Sequence, residues 1–109
     1  MARTFDPARL KTRLTLEEPV ATPDGQGGES VAFEPIAVLH AAIEAVDAIV
    51  EARGGRMACL TRHRLTIRAL SDIAPGMRLV RPGRVLTVKA VLATDDGRYM
   101  IIDAEEEAP

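Results

Sequence analysis

The sequence predicts a mainly β fold, a small antiparallel barrel or sandwich, on two observations. Short apolar runs alternate with period two, and turn signals separate them at regular intervals over the second half of the chain. With 109 residues and 47% hydrophobic residues there is material for one core and little room for a second.

Asp6-Pro7-Ala8-Arg9-Leu10 has the form of an N-cap followed by proline at the first helical position, which predicts a single helical turn. From Arg13, the apolar Leu14 and Leu16 alternate with Arg13, Thr15 and Glu17, a half-buried strand that Pro19 is expected to end. Thr22 to Gly28 collects three glycines, a proline and an aspartate, a composition that predicts a mobile loop.

Residues 36–53 fit two periods. Ile36, Leu39, Ile43, Val46 and Val50 recur at helical spacing, with Pro35 ahead and Gly54 behind as a left-handed cap. Leu39, Ala41, Ile43 and Ala45 equally line one face of a strand, and periodicity leaves both open.

Beyond Gly54-Gly55, Leu65 and Ile67 point one way and Arg64, Thr66 and Arg68 the other, a strand with one wet face. Met77–Val80 and Val85–Leu92 flank Arg81-Pro82-Gly83-Arg84, where proline followed by glycine meets the demands of a type II turn, so a hairpin is expected. Asp95-Asp96-Gly97-Arg98 supplies another turn before a strand from Tyr99 to Asp103. The structural turn residues are Pro82, Gly83 and Gly97.

Composition limits the functions available. Aromatics are 3% of the chain (Phe5, Phe33, Tyr99), so platforms for stacking bases are nearly absent. A net charge of -2 and a pI near 5.7 oppose a dedicated nucleic-acid binder. The charge is nonetheless uneven: Arg3, Arg9, Lys11 and Arg13 open the chain, most other arginines lie from Arg53 to Arg84, and Glu105, Glu106 and Glu107 come near its end. Such polarity suits docking of unlike surfaces. No apolar run approaches the roughly 20 residues that span a bilayer, and Met1–Leu10 lacks the apolar stretch of a secretion signal, so no membrane partner and a cytoplasmic site of synthesis are expected.

Candidate chemistry is thin. Cys59, Ser30, Ser71, His40 and His63 are the residues from which a nucleophile and base would be drawn. Cys59 and His63 have a C-x3-H spacing, but zinc needs further ligands and only His40 remains. Gly25, Gly27 and Gly28 lack the lysine and the strand-to-helix context of a phosphate loop. Glu105–Glu107 are consecutive and read as a solvated tail. No catalytic residue, metal site or cofactor is expected, and the chain is read as a non-enzyme. Arg53 and Arg56 flank the Gly54-Gly55 pair; facing a lumen with DNA, they would touch phosphates without reading sequence. At a helix end they would instead meet its dipole.

Three stretches carry a resemblance: Leu39-His40-Ala41-Ala42-Ile43-Glu44 with Glu51 downstream, Arg64-Leu65-Thr66-Ile67-Arg68, and Gly76-Met77-Arg78-Leu79-Val80 leading to Gly83-Arg84-Val85-Leu86-Thr87-Val88. In order and spacing the chain resembles the head-tail joining, or head-closure (stopper), proteins of siphophage-like particles and gene transfer agents. His40 stands where that family often has tryptophan, and Ala69 where it often has an aromatic.

The resemblance implies one domain over 1–109: a small antiparallel β-barrel with a short peripheral helix and a long loop, an N-terminal arm 1–12 and an acidic C-terminal tail 104–109. It tilts Val38–Glu44 toward a strand. It implies a connector ring of roughly six copies at the neck of the particle, assembled in the host cytoplasm, that closes the DNA channel after packaging and docks the tail. Its partners would be itself, the portal-bound adaptor, the tail terminator or tube protein, and packaged double-stranded DNA. The candidate channel loop is 45–59, with Val46, Ile49, Val50, Glu51, Arg53, Gly54, Gly55 and Arg56 nearest the DNA, and Ala48, Ile49 and Val50 sealing against neighbours. A small barrel that binds nucleic acid directly is the alternative, and a metal-dependent hydrolase resting on Cys59, His63 and His40 the third reading.

Overall fold

The structure, a computed structural model, describes residues 5–69 and 72–107. Arg3, Ser71 and the outermost ends of the N-terminal arm and acidic tail lie outside the described residues.

The predicted helical turn is a single 3-10 turn, Pro7–Arg9, in which the Asp6 side chain accepts a hydrogen bond from the Ala8 N–H at 3.0 Å. Six strands follow: β1 Thr12–Pro23, β2 Glu29–Arg53, β3 Arg56–Arg68, β4 Arg78–Arg81, β5 Arg84–Ala93 and β6 Tyr99–Glu107. They close into an antiparallel barrel in the order β1-β2-β3-β6-β5-β4, with β4 returning to pair with β1. The mainly β, barrel-like fold is the one the sequence predicts.

Alternation along each strand fills the interior. Leu14 and Leu16 of β1, Leu39 and Ala41 of β2, Leu65 and Ile67 of β3, Leu79 of β4, Leu86 and Val88 of β5, and Ile102 and Ala104 of β6 form one cluster, joined by Ile73 from the β3–β4 connection. No aromatic ring belongs to it. Phe5 and Tyr99 instead meet at the end of the barrel beside the 3-10 turn, with ring centroids 4.8 Å apart.

One expectation about strand length is corrected, and one open alternative is decided. Pro19 does not end β1, which runs on to Pro23 paired with β2. Beyond Glu17 the strand has a neighbour on one side only, the edge position in which a sheet tolerates proline. The interval 36–53 is strand throughout, because pairing to β1 and then β3 satisfies its backbone and turns Leu39 and Ala41 inward.

Three bulges shape the barrel, at Leu16/Glu17, Ala45/Asp47 and Val88/Ala90. The last two sit beside one row of paired residues, Ala45, His63, Ala104 and Val88, running across β2, β3, β6 and β5. An extra residue bends its strand and increases local twist. Past this row β3 keeps β6 as a partner as far as Leu60↔Glu107, and from there the β2–β3 hairpin continues as two strands.

The turns are the predicted ones. Arg81 pairs with Arg84 across Pro82-Gly83, and Gly83 has φ 78°, as the third position of a type II turn requires. The Thr22–Gly28 stretch, expected to be a mobile loop, is instead a closed turn: Asp24 Oδ1 accepts from the N–H groups of Gln26 at 2.7 Å and Gly28 at 3.1 Å.

Candidate functional site

The stretch 45–59 is not a loop. It is the outer part of the β2–β3 hairpin, paired residue for residue from Asp47↔Arg62 to Arg53↔Arg56. Between Arg53 and Arg56 stand Gly54 and Gly55, at φ 56° and 79°, the two left-handed positions of a type I′ turn. Gly54 therefore closes a hairpin and caps no helix.

Because successive residues face opposite ways, the hairpin has two unlike surfaces. One continues the inner face of the barrel and carries Ala48, Val50 and Ala52 opposite Thr61, Cys59 and Met57. It is apolar and bare: Val50 is 64% exposed and Met57 66%. The other carries Asp47, Ile49, Glu51 and Arg53 opposite Arg62, Leu60, Ala58 and Arg56. Val46 is the extra residue of the bulge. The expected seal of Ala48, Ile49 and Val50 is thus divided: Ile49 faces away from the other two.

Charges on the second surface neutralise one another. Arg53 Nε donates to Glu51 at 2.7 Å, and its terminal nitrogens lie 3.8 Å from Glu105 and 3.9 Å from Glu107. Arg56 pairs with Glu107 at 2.8 Å, and Arg62 with Asp47, its cross-strand partner. The hydrogen bond from Arg62 holds the Asp47 carboxyl below its ordinary range. Ala58 and Leu60 share this surface and are buried, at 3% and 2% exposure. The hairpin tip is thus tied by its arginines to the end of β6.

That end is itself a correction. Ala104–Glu107 belong to β6, where Ala104 is core and Glu106 lies on the inner face at the barrel mouth, so no solvated tail begins at 104. Glu106 accepts from Arg84 through both oxygens, at 2.8 Å each, and its Oε1 lies 2.9 Å from His63 Nε2. The Arg84 hydrogen bonds bring the carboxyl from its ordinary 4.5 to about 2; burial opposes the shift and His63 adds to it. His63 is 7% exposed and its Nδ1 is buried with no hydrogen-bond partner. Sequence reading missed this mouth, although the step of two from Ile102 through Ala104 leads to Glu106.

The other candidates stay apart. Cys59 is exposed on the hairpin, four residues and about 13 Å of strand from the buried His63, and His40 is exposed opposite Arg13. Among the described residues no group of three or more His, Cys, Asp and Glu could hold a metal ion. Ser30 donates at 3.5 Å to the Thr22 carbonyl and has no histidine partner. No helix among the described residues is long and apolar enough to cross a membrane.

At the base of the β1–β2 hairpin, Arg78 stacks over Phe33 at 3.5 Å from its centroid. Beside it runs an open groove of about 900 Å³, walled by Lys11, Arg13 and Arg81 with Val80 and Val85 between them.

The profile of a family described as phage head completion protein matches residues 5–107. A chain in the virion of a native gene transfer agent particle superposes with a TM-score of 0.81 at 25% identity, covering 92% of this chain and 96% of that one. A protein of Shigella flexneri 2a, solved in solution, shares the fold with a TM-score of 0.68 at 23% identity, over 94% of this chain and 96% of its own. Among curated proteins none matches the sequence.

Proposed function

The chain belongs to the phage head completion protein family, and from that premise we propose that it is a stopper: a connector-ring subunit at the particle neck that closes the DNA channel after packaging and offers the tail its docking platform. The role is structural rather than catalytic.

One observation carries the reading. The β2–β3 hairpin projects past the closed core as a paired ribbon, with a bare apolar surface of small residues on the side that continues the barrel interior. In a ring of roughly six copies, equivalent hairpins converge on the axis. Ala48, Val50, Ala52 and Met57 then meet their counterparts and exclude water. Ion pairing of Arg53 and Arg56 to Glu105 and Glu107 holds each hairpin to its barrel, so closing the channel does not require ordering a free loop.

The partners follow from that position: other copies around the ring, the portal-bound adaptor on one side, the tail terminator or tube protein on the other, and double-stranded DNA in the channel. Assembly takes place in the host cytoplasm. Pairing of Arg53, Arg56 and Arg62 with acids weighs against the alternative of a free-standing nucleic-acid binder.

The test shortens the hairpin in register. Removing Val50–Arg53 and Arg56–Cys59 leaves Ile49 and Leu60 flanking Gly54-Gly55. The expected result is particles that contain the protein but release packaged DNA, scored by nuclease sensitivity. Particles that keep their DNA and join tails as before would overturn the assignment.

A further inference from the structure

The second hairpin of the barrel, β1–β2 beyond the Leu16/Glu17 bulge, forms a two-stranded wing, and its two faces differ. The face that continues the barrel interior carries Glu18 directly opposite Glu34, with Val20 opposite Ala32 beyond them. Like charges across a strand pair are unfavourable, and neither glutamate has an ion-pair partner among the described residues. The groove outside β1 and β4 has the converse make-up. Among the described residues Lys11, Arg13 and Arg81 have no ion-pair partner, Glu17 is the groove's one acidic lining residue, and Val85 beside them is 44% exposed.

Within one molecule the two cannot meet. The wing's own Glu17 and Pro35 line the groove, so Glu18 and Glu34, next along each strand, point the other way. We propose that the acidic, apolar-flanked face of the wing seats in the Lys11, Arg13 and Arg81 groove of an adjacent copy. One patch on one subunit then meets a different patch on the next, the head-to-tail contact that generates rings. Val20 and Ala32 cover Val80 and Val85, while Glu18 and Glu34 answer the arginines and the lysine.

This interface rests on the ring reading above, and its test separates the two. In a Cys59→Ser chain, Glu34→Cys and Arg13→Cys are introduced together and assembled particles are oxidised. The expected product is a covalent ladder ending in a closed ring, and neither single cysteine yields it. Protein that is present in purified necks yet stays monomeric under oxidation would overturn the interface and leave the neck assignment standing; protein missing from wild-type necks would overturn the assignment itself.

Charge reversal supplies the second measurement. Glu18→Arg with Glu34→Arg, or Arg13→Glu with Arg81→Glu, lowers the copies per particle roughly tenfold, and combining the two sets restores them to within about twofold. Reversals that impair assembly without mutual rescue would mean that the wing meets a different protein, and the proposal would fall.

Discussion

Arg84 grips Glu106 with two parallel hydrogen bonds of 2.8 Å, Nε to Oε2 and Nη2 to Oε1, joining the first residue of β5 to β6 at the mouth from which the β2–β3 hairpin departs. Bidentate geometry makes this the strongest kind of side-chain ion pair.

A pH dependence follows. The folded-state value of Glu106, about 2, lies below its ordinary 4.5. The carboxylate's contribution is therefore complete above about pH 4.5 and is lost as pH falls toward 2. Glu106→Gln should cost about 1–2 kcal/mol at neutral pH, allowing for solvent screening. Denaturant melts of the two proteins between pH 7 and 2 should converge on acidification.

Leu65 and Ile102 face each other across β3 and β6, both fully buried. Leu65→Ala or Ile102→Ala should destabilise by about 2–5 kcal/mol. Val50→Ala, on the bare hairpin face, should change the isolated chain by less than about 0.5 kcal/mol. Equilibrium unfolding of the three variants measures the contrast; equal losses would mean that Val50 is covered within the monomer.

Replacing Gly54 and Gly55 with proline should open the hairpin tip, because proline fixes φ near −65° where the chain has φ 56° and 79°. Hydrogen exchange should accelerate at residues 48–61 while the amides of Leu65, Leu86 and Ile102 keep their protection. Particles assembled with the double-proline chain should lose channel closure or tail joining.

Glu34→Lys removes a like-charge pair with Glu18 and should stabilise the isolated chain by about 0.2–1 kcal/mol. Assembly should suffer from the same change. A substitution that helps the monomer and harms the particle indicates a residue kept for contact between molecules.

Legibility followed the source of the order. Local chemistry sufficed where one residue dictates its backbone, as at Pro82-Gly83, Asp6-Pro7 and Gly97, and alternation sufficed for Leu14, Leu65 and Ile67. It failed at 36–53, where alanines and valines every second and every fourth position satisfy helix and strand alike, and only pairing with β1 and β3 decides. From its neighbours in sequence Glu106 reads as tail, because its partners, Arg84 and His63, are 22 and 43 residues distant. The family motifs located the hairpin but gave it as a loop, since regular pairing between Asp47–Arg53 and Arg56–Arg62 leaves no motif of its own.

The two projecting hairpins also decide how the free protein behaves before it finds a particle. A closed barrel has no open sheet edge, so the unpaired backbone donors and acceptors of these strands gather on the projections. On β1–β2 the prolines at 19, 23 and 35 withhold donors and discourage foreign strands. From Val46 to Cys59 there is no proline, and one surface is bare valine, alanine and methionine. Overexpressed without its assembly partners, the protein is therefore exposed to intermolecular strand addition at the β2–β3 hairpin, and its solubility should fall steeply with concentration.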